Sequence, residues 1–319
     1  MLTSAEYLAL TDSALKSLPL PASPERLYDP VRYSLEQGGK RIRPVLVLAV
    51  ADALGAGVDD ALAAALALEI FHNFTLLHDD IMDRSDLRRG RLTVWKKWDE
   101  SCAILSGDAM LTFASQILLK SPSARIRDLM DVFNSAAMAV YEGQQLDLDY
   151  EDRAAVTEAE YFEMIDKKTS ALLVCACRMG AICADASETT CNAFAVYGDL
   201  LGKAFQLRDD YLDTFGDSST FGKPIGGDIL NEKKTWMWIM ARSLDPVGLD
   251  AACREASSDA DKIERVRNVY VRNGIDRRIT ELIGGLTEKA LGALSPLNLD
   301  ASAYKFFSDF AHSLTGRSK

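Results

Sequence analysis

Apolar residues recur at three- and four-residue spacing along most of the chain, and no stretch alternates strictly. That pattern predicts helices and no strand of any length. Residues 3–17 read as a short amphipathic helix, stopped by Pro19, Pro21 and Pro24. A second helix is predicted from Pro30 to Glu36, ended by Gly38 and Gly39. Val45 to Leu54 reads as a buried helix. Val58 to Asp83 is longer, rich in Ala and Leu and apolar on nearly every face, which puts it at the centre of a bundle. Trp98 to Leu119 and Ala124 to Leu148 follow. Thr157-Glu158-Ala159-Glu160 is an N-cap signature for the next helix. It leads through Lys167-Lys168-Thr169-Ser170 into an apolar, Cys-rich helix ending at Cys183. Lysines that interrupt an apolar helix need an anionic partner. Glu188 to Phe215 is another long helix. Gly216 to Asn231 is rich in Gly, Ser and Pro and reads as a surface loop and a candidate lid. Lys233-Lys234-Thr235 opens the next helix, and four or so amphipathic helices run on to about His312. No linker appears in mid-chain, so the expectation is one all-α domain over residues 1–319.

Composition narrows the function. A chain of 319 residues, 48% hydrophobic, has material for a large core. A net charge of −11 argues against nucleic acid as a partner. It does not exclude a phosphorylated substrate, because local Arg and Lys clusters decide that. Of the six cysteines, Cys175, Cys177, Cys183 and Cys191 lie close together, but without zinc spacing or a nearby His. They read as reduced residues on buried helices. Met1 to Leu20 lacks a basic start followed by an apolar core, and no run of eighteen apolar residues occurs. The expectation is a cytoplasmic protein without an integral membrane segment.

The chemistry concentrates in two acidic clusters. Asp79, Asp80 and Asp83 stand in DDxxD spacing at the end of the long apolar helix, within an arc of about 100°. Gln206, Asp209, Asp210 and Asp213 repeat the pattern at i, i+3, i+4 and i+7. A single such cluster fits a solvated helix face. Two of them, each closing an apolar helix and each followed by basic residues and a Gly-containing loop, fit hard oxygen ligands for Mg2+. Lys40, Arg41 and Arg43 around Gly38-Gly39 suit either a diphosphate clamp or a charged surface turn. A lone His in such a helix is usually a satisfied core residue, but His72 lies seven residues before Asp79 on the same face, which raises the case for a ligand-facing role. Ser106-Gly107-Asp108 and Glu142-Gly143-Gln144-Gln145 permit either close helix approach or a polar cavity lining. There are three His, and no P-loop, nucleophile elbow or GxGxxG. What remains suits ionisation of a diphosphate ester, with metal neutralising the leaving group and apolar walls excluding water.

With these motifs the sequence resembles the trans-isoprenyl diphosphate synthases, the polyprenyl synthetase family. The resemblance runs over roughly residues 35–240. It rests on GGKRIRP at 38–44, HNFTLLHDDIMD at 72–83, DLRRG at 86–90, KKT at 167–169, FQLRDDYLD at 205–213, FGK at 221–223 and GGDILNEKKT at 226–235, in family order and spacing. It implies a single large helical bundle around a deep central cavity, the isoprenoid synthase fold, working as a homodimer. It implies 1'-4 head-to-tail condensation of isopentenyl diphosphate with an allylic diphosphate.

By this resemblance Asp79, Asp83 and Asp209, with Asp80 and Asp213 less firmly, would bind about three Mg2+ ions on the allylic diphosphate. Arg88, Lys168, Lys223 and Lys233 would hold that diphosphate. Thr169 and Gln206 would flank the reacting carbon. Lys40, Arg43, His72 and Arg89 would bind isopentenyl diphosphate. Trp95 departs from the family, whose members often carry His there. Phe74 and Thr75, five and four residues before Asp79, would set chain length. An aromatic followed by a small residue resembles makers of geranylgeranyl diphosphate, with farnesyl or longer polyprenyl diphosphates as alternatives. A terpene cyclase would carry an Asn/Ser/Glu triad in place of the second DDxxD. A non-catalytic partner subunit of a heteromeric synthase would have lost acidic-motif residues, and none is lost here.

Overall fold

The computed structural model describes residues 1–216 and 225–316, and these are helical almost throughout. The chain groups into two compact units. One comprises Met1–Ser135, Cys175–Ala195 and Leu299–Ala303; the other comprises Ala136–Val174, Val196–Asn298 and Tyr304–Lys319.

The first unit begins with α1 (Ser4–Lys16), which Thr3 and Glu6 cap reciprocally. Tyr7 on α1 donates to Asp52 at 2.5 Å. Helix α2 (Glu25–Leu35) starts five residues before the expected Pro30, because Pro24 already supplies the N-cap. Pro30 lies inside the helix. Helix α3 (Ile42–Ala53) starts at Ile42 rather than Val45, since Pro44 falls in the first turn, where no N–H is needed. Helix α4 (Val58–Met82) is the long apolar helix and packs along α3. Leu46, Leu48, Leu68, Ile70 and Phe71 are fully buried there, each worth about 1.5–3 kcal/mol of burial.

A hairpin corrects the expectation of no strand: Leu87–Arg88 (β1) pairs antiparallel with Arg91–Leu92 (β2). Two-residue strands are too short to show alternation. The loop residues Arg89 and Gly90 have φ of 53° and 74°. Positive φ at both positions is what a two-residue hairpin loop requires. The helix expected from Trp98 to Leu119 is α6 (Glu100–Leu118), which starts where Asp99 caps the N–H of Cys102, and a short helix that was not expected, α5 (Val94–Lys97), precedes it. Helices α4 and α6 are long and apolar enough to cross a bilayer by composition alone. In the structure they pack on each other, and α4 is mostly buried.

Helix α7 (Ile126–Glu151) carries the chain on. Helix α8 (Glu158–Ile165) opens with the expected Thr157 and Glu160 capping box. A π-helical turn (Asp166–Ser170) follows, then α9 (Ala171–Cys183) and α10 (Glu188–Phe215). Beyond come α11 (Gly227–Leu230), α12 (Trp236–Leu244), α13 (Pro246–Arg254), α14 (Asp259–Arg272), α15 (Ile275–Leu294) and α16 (Ala301–Thr315). In the second unit Ile165, Leu207, Trp236, Tyr270 and Ile279 belong to one buried cluster. All six cysteines are free thiols.

Candidate active site

In the first unit the acidic cluster sits on the last turn of α4. Asp79 is half-buried, Asp80 is 4% exposed and Asp83 is exposed. Arg88, brought in by the hairpin, donates from Nε to Asp80 Oδ1 at 2.7 Å, with Nη2 3.6 Å from Asp79. Burial pushes the Asp80 carboxyl up to about 6; Arg88 opposes the rise, while Asp79 and Asp83 add to it. The segment between helix and hairpin is pinned by Trp95, whose Nε1 donates to the Ser85 carbonyl at 2.9 Å. Thr93 Oγ1 donates to the same carbonyl at 2.8 Å. The departure at Trp95 therefore has a structural task.

Basic groups gather in the same unit. Arg41 is drawn into the core and does not serve the clamp that three adjacent cations suggested. Its guanidinium donates to Glu69 at 2.7 Å, to Asp12 at 2.9 Å and to the Leu35 carbonyl at 2.7 Å. Arg89 donates to the carbonyl of Gly38, and a Cβ on Gly39 would come within 2.6 Å of its Nη1, so Gly39 makes room for that arginine. His72 is held neutral, well below its ordinary pKa, by burial and by the charges of Arg43, Arg89, Arg88 and Arg41. Arginines around an uncharged imidazole favour an anion at that place.

Phe74 is buried, its ring 5.4 Å from Phe71 and 4.8 Å from His78. Thr75 donates to the His72 carbonyl at 2.8 Å. His78 fits because Gly107 lacks a Cβ, which would stand 2.3 Å from Nε2. Gly107 thus answers to close packing rather than to cavity lining.

In the second unit α10 repeats the arrangement. Asp209 and Asp213 are half-buried and Asp210 is 5% exposed. Asp210 accepts from Tyr161 at 2.5 Å and from Gln206 Nε2 at 2.9 Å, and Gln206 Oε1 accepts from Thr169 at 2.8 Å. Asp213 accepts from the Asp228 N–H at 3.0 Å. Burial raises both Asp210 and Asp228 above the usual carboxylate range. The π-helical turn presents Lys168 to Asp147 on α7, and Lys233 Nζ lies 3.5 Å from the same carboxylate. Burial acts to raise Asp147, but Lys233 and Lys168 outweigh it and hold it low. Lys167 finds its anions in Glu142 at 3.0 Å and Glu163 at 3.3 Å. Gly143 allows α7 to reach the π-helical turn, since a Cβ there would meet the Lys168 nitrogen at 2.3 Å. Lys223 and half of the candidate lid, residues 217–224, lie outside the described residues. The end of that loop is helical, as α11.

Sequence reasoning missed Asp147, Asp228 and Tyr161. Asp147 carried a faint signal: it stands i+3 from Gln144 and i+4 from Gly143, the polar stretch already noted on that helix. Among the described residues no three His, Cys, Asp or Glu side chains converge into a preformed metal cage. Half-exposed carboxylates at i and i+4 on each cluster still fit Mg2+, which keeps water and phosphate oxygens as ligands.

Comparison with known proteins agrees with this chemistry. Residues 24–270 match the polyprenyl synthetase family. The geranylgeranyl diphosphate synthase of Methanosarcina mazei is 44% identical over 232 residues, 72% of this chain and 72% of that one. The short chain isoprenyl diphosphate synthase of Methanothermobacter thermautotrophicus is 38% identical over 237 residues, 74% of this chain and 73% of that one. A crystal structure of a geranylgeranyl pyrophosphate synthase aligns with a TM-score of 0.93 at 42% identity, covering 100% of both chains.

Proposed function

The chain belongs to the polyprenyl synthetase family and is a prenyltransferase with the all-α isoprenoid synthase fold, and we propose that it condenses isopentenyl diphosphate with an allylic diphosphate to give geranylgeranyl diphosphate. The observation that carries this reading is the shared build of the two acidic clusters. In each, the middle carboxylate is buried in an internal pairing, and the outer two are more exposed.

Asp79 and Asp83 of the first cluster, and Asp209 and Asp213 of the second, would hold Mg2+, about three ions in all. When bound, Mg2+ neutralises the allylic diphosphate as it leaves. Arg88, Lys168, Lys223 and Lys233 bind that diphosphate. Lys40, Arg43, His72 and Arg89 bind isopentenyl diphosphate. The allylic carbon–oxygen bond breaks, and the allylic cation bonds to the terminal alkene carbon of isopentenyl diphosphate. Thr169 and Gln206 are hydrogen-bonded to each other at 2.8 Å. They flank the reacting carbon and stabilise its charge. The departed diphosphate takes the proton, so no protein base is required.

Phe74 ends the growing tail. Geranylgeranyl synthases among the relatives support a C20 product. The protein functions as one polyprenyl synthetase domain in a homodimer, for which the exposed Ile104 and Leu105 of α6 supply apolar surface. Free thiols fit a cytoplasmic setting.

The test is incubation of the purified chain with labelled isopentenyl diphosphate, each allylic starter and Mg2+, followed by sizing of products. C20 is expected. No condensation by the chain alone overturns the enzyme reading in favour of a partner subunit; a C15 end product overturns only the chain length.

A further inference from the structure

Arg41 stands between Lys40 and Arg43 in sequence, yet its side chain turns away from any ligand. It is 4% exposed, and its partner Glu69 is 2% exposed. Three donors of one guanidinium reach three elements: Asp12 on α1 at 2.9 Å, the Leu35 carbonyl at the end of α2 at 2.7 Å, and Glu69 on α4 at 2.7 Å. Asn73 completes the Glu69 shell, donating to Oε1 at 3.1 Å and to the Glu69 carbonyl at 2.8 Å.

Fold stability alone gives little reason for this arrangement. The desolvation of a buried ion pair offsets most of its attraction, and an apolar pair of similar size would serve as well. Arg41 also sits in the left-handed region, at φ 45° and ψ 39°. An L residue adopts that conformation at some cost. What the pairing does supply is position. Gly38 and Gly39 have φ of 68° and 146°. Two glycines leave the turn before α3 with much backbone freedom. The planar fork of Arg41 removes that freedom by fixing the turn in three directions at once. Glu69 lies three residues before His72 on α4, so the turn is fixed to the helix face that carries the imidazole.

We propose that Arg41, held by Glu69, Asp12 and the Leu35 carbonyl, is a positioning residue that sets Lys40 and Arg43 in register with His72 for the diphosphate of the non-allylic substrate. The inference rests on the substrate assignment proposed above for that turn. Arg41 itself touches no substrate; it acts through its two neighbours.

The test is steady-state kinetics on purified full-length Glu69→Gln and Arg41→Lys, with each substrate varied in turn and folding checked by circular dichroism and thermal melting. Glu69→Gln keeps the hydrogen-bond acceptor and removes the charge. Arg41→Lys keeps the charge and removes the fork. A misplaced turn should raise KM for isopentenyl diphosphate about tenfold, with KM for the allylic substrate and kcat moving less than about twofold. A purely structural role would lower kcat with the folded fraction and leave both KM values alone, and that result overturns the proposal. Should either variant fail to fold, Asp12→Asn leaves the Glu69 pairing intact. It should raise the same KM selectively by a smaller factor, and KM values for both substrates equal to those of the wild type would again overturn it. If wild-type protein does not condense isopentenyl diphosphate at all, the substrate assignment fails first and this inference falls with it.

Discussion

Arg88 Nε stands 2.7 Å from Asp80 Oδ1, and that contact commits the middle carboxylate of the first cluster to an internal ion pair. Asp210 is committed in the same way in the second cluster, to Tyr161 and Gln206. Neighbouring positions on a helix point about 100° apart, so the two adjacent aspartates of each cluster stand at its opposite edges and can take different partners. The DDxxD spacing therefore contains two kinds of carboxylate.

The two kinds should separate in a magnesium titration. Asp79→Ala and Asp209→Ala are expected to lower kcat by at least about 100-fold with helix content unchanged, and to shift half-saturation to higher Mg2+. Asp80→Asn is expected to cost about 1–3 kcal/mol of stability through its buried contact with Arg88, and to leave the Mg2+ midpoint in place. Near wild-type turnover in Asp79→Ala or Asp209→Ala would overturn their assignment as ligands.

Asp147 takes both Lys168 and Lys233, and two ammonium groups at one carboxylate repel each other once it is neutralised. Asp147→Asn should therefore release the lysines from their shared position. The expected result is an allylic KM raised about tenfold with the KM for isopentenyl diphosphate unchanged. A lower allylic KM would mean that Asp147 competes with the diphosphate rather than placing its ligands.

Phe74 is wedged between the rings of Phe71 and His78. Phe74→Ala should lengthen the product beyond C20, and Thr75→Phe should shorten it. Such a buried truncation also costs about 3–5 kcal/mol and will lower the melting temperature. Product length does not depend on how much enzyme is folded, so an unchanged chain length on sizing rules Phe74 out as the stop.

The helical architecture and both acidic clusters were legible because each rests on local periodicity. Val58 to Met82 is apolar almost all round, and its burial follows from that alone. Long-range pairings were not legible. Arg41 reads like its neighbours Lys40 and Arg43 in sequence, and its pairing with Glu69, 28 residues away, shows that it faces inward. Asp147 and Lys168 are 21 residues apart in the chain. They meet through a π-helical turn that no periodicity marks. The hairpin escaped for a different reason: its four paired residues include two arginines and its signal lies in the loop, Arg89-Gly90.

Gly143 and Gly284 lie in helix interiors, and the same substitution should act on them with opposite sign. At Gly284 on α15 nothing lies within 4 Å of an added Cβ. Gly284→Ala removes only backbone freedom of the unfolded chain and should stabilise by about 0.5–1 kcal/mol with activity unchanged. At Gly143 the added carbon would meet Lys168 N at 2.3 Å and Lys167 C at 2.7 Å, backbone atoms that cannot rotate aside. Either α7 or the π-helical turn must move, at about 1–3 kcal/mol. Because Lys168 and Thr169 lie on that turn, Gly143→Ala should lose activity beyond what its melting temperature accounts for. Full kcat in a folded Gly143→Ala protein, measured well below its melting temperature, would mean that the turn can shift without disturbing either residue, and their assignment to the allylic diphosphate and its reacting carbon would fall.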